Sequence, residues 1–102
     1  MAISSTQIGT TATTIYTSTN NTATTVIFFC NTTGSAATLT THVVPSGGSV
    51  SDTNAIIKNL TIPANDTYIM NAEKLVLANL DTIQCLSGTA SAISASVSYV
   101  GI

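Results

Sequence analysis

Short runs of apolar or alternating residues recur about every ten positions along this chain, and each closes on a cluster of Gly, Asn, Asp, Pro or Ser. That punctuation leaves no segment long enough for a stable helix, since isolated helices below about 12 residues are marginal. It suits short strands joined by tight turns. The 20 threonines among 102 residues reinforce extended backbone, because β-branched side chains pack well on a pleated surface. The expected fold is all-β, a single antiparallel β-sandwich of seven or eight strands over residues 1–102 with almost no helix. Strand order is not written in periodicity, so jelly-roll and immunoglobulin-like topologies both stay open.

The individual strands follow from alternation. Residues 1–7 are expected to form an extended N-terminal arm, and residues 8–17 a first strand in which Ile8, Ala12 and Tyr16 punctuate threonines. Thr19-Asn20-Asn21-Thr22 turns the chain into 23–31, the most strongly marked strand. There Val26, Phe28 and Cys30 are expected on one face and Ile27 and Phe29 on the other. Apolar groups on both faces predict a central strand covered on each side. Phe28 then counts as a large buried group whose removal costs about 3–5 kcal/mol. Strand 36–44 ends at Pro45-Ser46-Gly47-Gly48, and 49–54 reads as a loop. Strands at 55–62 and 67–71 flank the Pro63–Asp66 turn. Asn71–Lys74 makes a short turn entering a strand through Leu77, and strands at 82–87 and 92–100 finish the chain. In the last, Ile93, Ala95, Val97 and Tyr99 alternate with Ser94, Ser96 and Ser98, giving one packed face and one hydroxyl face.

Charge narrows the function classes. The chain has two lysines, no arginine and four acids, so charged residues are 6% of it against about 25% in ordinary soluble proteins. Two cations cannot neutralise a row of phosphates, which argues against nucleic-acid binding. No apolar run is long enough for a membrane helix, and Met1–Ser5 has neither a basic region nor an apolar stretch, so no secretion signal is expected. A small domain exposes much of itself, and here the exposed part must be mostly hydroxyls, amides and small apolar groups. Such a surface is cheap to desolvate, which fits one that meets other protein subunits.

Chemistry is sparse. His42, the one histidine, is expected inside a strand, while Asp52, Asp66, Glu73 and Asp81 fall in or beside turns. No nucleophile–base–acid arrangement can be named, so no catalytic residue is assigned and the chain is not expected to be an enzyme. Cys30, Cys85 and His42 lack the close spacing of a zinc site, and Asp52 with Asn54 falls short of a calcium loop. No metal or cofactor residues are assigned. Cys30 and Cys85 are expected as packed thiols, with a bond between two sheets as the alternative. The sequons at Asn20, Asn31, Asn59 and Asn65 read as by-products of Asn and Thr abundance.

Several segments together resemble a known group. Thr14-Ile15-Tyr16-Thr17-Ser18, Val26-Ile27-Phe28-Phe29-Cys30-Asn31-Thr32, Val43-Val44-Pro45-Ser46-Gly47-Gly48, Ala64-Asn65-Asp66-Thr67-Tyr68, Glu73-Lys74-Leu75-Val76-Leu77, Asp81-Thr82-Ile83-Gln84 and Val97-Ser98-Tyr99-Val100-Gly101-Ile102 are similar to small structural proteins of tailed bacteriophages, including cyanophages. The resemblance implies a virion component made in the host cytoplasm, a capsid decoration (cement) protein first. A tail, neck or baseplate component is the alternative. Its expected partners are copies of itself, as a trimer, and the major capsid protein or other virion proteins. A third reading, a carbohydrate- or receptor-binding sandwich on a tail fibre, needs exposed aromatics to stack on sugar, and Tyr68 beside the Pro63–Asp66 turn is its candidate.

Overall fold

The computed structural model describes residues 2–70 and 75–102. The described residues form nine strands: β1 (Ala2–Ile8), β2 (Thr13–Thr17), β3 (Thr22–Asn31), β4 (Ala37–Val44), β5 (Ala55–Ile62), β6 (Thr67–Met70), β7 (Val76–Leu77), β8 (Thr82–Ser87) and β9 (Ile93–Gly101). One 3-10 turn, Asp52–Asn54, interrupts the expected 49–54 loop. The first sheet has the order β1-β9-β3-β6, with β7 alongside the start of β3; the second has β2-β8-β4-β5. All pairings are antiparallel.

This order is a folded hairpin. β1 pairs with β9, β2 with β8, β3 with β6 and β4 with β5; wrapping the hairpin then lays β9 beside β3 and β8 beside β4. Two interlocked Greek keys of this kind make a jelly roll, which decides between the two topologies that alternation left open.

Bulges decide which residues reach the core between the sheets. In β3 the register against β9 shifts between Thr24 and Val26, and a bulge of one residue exchanges the faces of everything after it. Thr22 and Thr24 point inward before the shift; Ile27, Phe29 and Asn31 do so after it. In β2 a shift between Thr14 and Tyr16 lets the consecutive Ile15 and Tyr16 both be buried. β9 needs no such device: Ile93, Ala95 and Val97 are fully buried on one face, as the serine alternation predicts.

Three expectations need correction. The 1–7 arm is instead strand β1, paired residue for residue with β9 from Ala2↔Tyr99 to Ile8↔Ile93. The expected strand 8–17 is two strands, because Gly9–Ala12 carry the chain from one sheet to the other. Phe28 is not buried: it is 41% exposed, whereas Phe29 is fully enclosed. β3 is central, but among the described residues its outer face has no second layer over it. The expected strand through Leu77 is Val76–Leu77, and the expected turn at Asn71–Lys74 lies outside the described residues.

Candidate functional site

The residues singled out for chemistry are put to structural use. His42 lies on β4 and is buried, with Nδ1 2.8 Å from Asn54 Oδ1. The connection from β4 to β5 folds over it: Asn54 also accepts from the Ser51 N–H and donates to the Ser49 carbonyl. Asp52 points away and pairs with Lys58 at 2.8 Å, both side chains largely exposed. The Lys58 hydrogen bond, followed by its charge, holds the Asp52 carboxyl below its usual range. Asp81 accepts from the Ser46 and Ala78 N–H groups, and Asp66 from that of Thr67. These carboxylates therefore fasten turns. Glu73 lies outside the described residues. Among the described residues no three His, Cys, Asp or Glu side chains gather to hold a metal.

The cysteines are free and on opposite sides of the core. Cys30 is half-buried on the outer face of the first sheet. Cys85 is fully buried on β8 beside the Thr41 hydroxyl at 3.3 Å, and burial pushes its thiol up to about 12. No bond joins the two sheets through them.

Asparagine accounts for much of the turn geometry. Asn20, Asn59 and Asn65 have φ of 58°, 50° and 57°, a left-handed conformation that asparagine tolerates better than most residues. Asn31 is buried and donates from Nδ2 to the carbonyls of Ser35, Ile62 and Pro63, while its Oδ1 accepts from Thr33 N–H and Oγ1. All four sequon asparagines thus have backbone or hydrogen-bonding roles.

What remains is surface, and the two outer faces differ. The outer face of the second sheet is partly roofed by the β4–β5 connection, which buries His42 and Val44. That of the first sheet is uncovered among the described residues. It presents Ile3, Ser5 and Gln7 from β1, Ser94, Ser96 and Ser98 from β9, Val26, Phe28 and Cys30 from β3, and Thr67 and Ile69 from β6. None of these side chains is charged. Ile3, Phe28 and Ile69 are 72%, 41% and 48% exposed, and Phe28 and Ile69 are directly opposite across the β3–β6 ladder. The serine alternation in β9 foretold the polar centre of this face. Its apolar flank was hidden, since Phe28 read as core.

A second feature lies along one open side of the sandwich. The free edges of β1 and β2 leave between them a groove of about 320 Å³ lined by Ser4, Thr6, Thr14, Ile15, Tyr16, Thr17 and Tyr99. The Tyr16 and Tyr99 rings lie 4.4 Å apart between centroids and tilt at 37°. Tyr16 sends its hydroxyl inward to Thr22 Oγ1, leaving hydroxyls of Ser and Thr at the mouth. Tyr68, the candidate for sugar stacking, is 38% exposed and stacks against the buried Phe29 at 6.3 Å.

No family model matches the chain, and no curated protein does. Its fold is similar to that of a solved structure of Bacillus endospore appendages, described as a novel family of disulfide-linked pili. The TM-score is 0.51 at 15% identity, over 99% of this chain and 84% of that one.

Proposed function

We propose that this protein is a non-enzymatic structural subunit that works in many copies on a larger particle, as a capsid decoration protein of a tailed-phage head. The observation that carries this reading is the outer face of the first sheet, whose described side chains are all uncharged and include exposed Ile3, Phe28 and Ile69. Phe28 and Ile69 form an exposed apolar pair beside a row of serines, with Ile3 on the other side of that row. Exposed apolar groups set among polar ones mark interaction sites. Covering hydroxyls and small apolar groups costs little desolvation compared with covering charges. The resemblance to small phage virion proteins supplies the particle. A filament or fibre subunit is the alternative, favoured by the likeness in fold to a protein described as forming pili.

The test has two arms. Light scattering after size exclusion is expected to show a homo-oligomer, and purified protein is expected to sediment with phage heads and not with isolated tails. Binding to tails alone moves the protein to the tail, neck or baseplate. Fibres in negative stain favour the filament reading. A monomer at high concentration that binds neither heads nor tails removes the assembly role altogether. Glycan binding lost on Tyr68→Ala would instead support a carbohydrate-binding module.

A further inference from the structure

The sheet edges among the described residues are unequally protected. β5 carries Lys58, a left-handed Asn59 and two register shifts against β4. β2 is five residues long with a bulge at its centre, and β6 has four residues. Bulges, short length and charge are the devices that keep an edge from pairing with another chain. β1 has none of them. Its seven residues, Ala-Ile-Ser-Ser-Thr-Gln-Ile, pair with β9 without a register break, and they include no charge and no proline.

The Ile8 carbonyl accepts from the Ser91 N–H at 3.2 Å on the β9 side. Backbone groups alternate along a strand, so those of Gln7, Ser5 and Ile3 are turned to the free side. From these observations we infer that β1 pairs antiparallel with β1 of a second copy about a two-fold axis at Ser5, joining the two first sheets into one continuous sheet. Ser5 then faces its own counterpart, and Ile3 of each copy lies opposite Gln7 of the other. The pairing is isologous, so one edge suffices for both partners. A ring would need a second edge to match β1, and the other three are bulged or short.

The groove beside β1 fits the same partner. Ser4 and Thr6 of an added β1 would point toward sheet two and meet a mouth already made of Ser4, Thr6, Thr14 and Thr17, hydroxyl against hydroxyl. The inference rests on the proposed assembly role and names its first partner as a second copy of this chain.

The test uses the full chain carrying Cys30→Ser, so that the half-buried native thiol does not cross-link. In that background Ser5→Cys is expected to give a disulfide-linked dimer under mild oxidation. Cα atoms directly opposite in an antiparallel pair stand about 4.5–5.5 Å apart, within disulfide range. Ser96→Cys, one strand further in on the same face, is expected not to cross-link. Ser5→Lys places like charges across the axis at an exposed position and is expected to weaken dimerisation about tenfold in low salt, with an unchanged melting temperature. If the parent protein is oligomeric and Ser5→Cys does not cross-link, the β1 pairing is overturned and the assembly role stands. A parent protein that stays monomeric overturns the β1 pairing, and it overturns the assembly role as well only if it binds neither heads nor tails.

Discussion

At the scale of single residues, Phe28 and Phe29 show how a sheet divides neighbours. Phe29 is fully enclosed between the sheets, so Phe29→Ala leaves a cavity and is expected to cost about 3–5 kcal/mol. Phe28 is 41% exposed, and Phe28→Ala is expected to cost about 1 kcal/mol or less. Thermal denaturation of the two variants side by side checks the assignment; a larger loss for Phe28→Ala than for Phe29→Ala would mean the faces are exchanged. Asn31 is the polar counterpart. Five hydrogen bonds from its side chain hold the β3–β4 and β5–β6 turns together. Asn31→Ala leaves buried carbonyls unpaired and is expected to cost about 2–4 kcal/mol in chemical denaturation. Cys85 adds a pH signature. Its thiol, raised by burial to about 12, keeps its proton in the folded state while an unfolded thiol loses it near 9. The unfolded state then binds fewer protons, so stability is unaffected below pH 9 and falls as pH rises from there toward 12. The slope is about 1.4 kcal/mol per pH unit. Cys85→Ala is expected to remove that part of the alkaline loss in denaturation curves compared at pH 8 and pH 11.

At the scale of elements, β1 is the segment whose role changed most between sequence and structure. Its inward positions Ser4 and Thr6 line a groove and its outward positions are Ile3, Ser5 and Gln7, so polarity does not alternate and no periodic signal marks a strand. Only the fit to β9 orders it, and that contact is remote in sequence. β9 was legible because its inner positions are apolar and its outer ones serine. Strands 55–62 and 82–87 were legible because Pro, Asn and Gly bracket them. Phe28 was misread because alternation says which residues share a face and not whether a second layer covers it. The sandwich itself could be read from the chain, whereas the jelly-roll order depends on long-range pairing. Of the candidate surface, the serine row was visible and the groove was not, since β1 and β2 meet only after folding. If β1 is part of the sheet, deleting residues 2–7 uncovers one side of β9 and is expected to lower the melting temperature by more than 10 °C, about 2 kcal/mol or more for a domain of this size. A dispensable arm would leave melting unchanged.

For the molecule as a whole, the shortage of charge makes a prediction about how copies associate. The sequence holds four acids and two lysines. Among the described residues, Asp52 and Lys58 pair with each other, and Asp66 and Asp81 hold turns. Among the described residues, the first sheet's outer face and the β1 edge bear no charge. Association through them has almost no Coulombic part to screen, and it gains from excluding water around Ile3, Phe28 and Ile69. Raising sodium chloride from about 50 mM to about 500 mM shortens the Debye length roughly threefold and is expected to leave the dimer dissociation constant within about twofold. Ammonium sulfate, excluded from protein surfaces, is expected to tighten it. Only Ser5→Lys should become salt-dependent, tightening as sodium chloride screens the repulsion it introduces. Sedimentation velocity over a concentration series in each salt measures all three. A parent protein that dissociates steeply with sodium chloride would show that charge drives its contacts, and the uncharged face would lose its claim to be the interface.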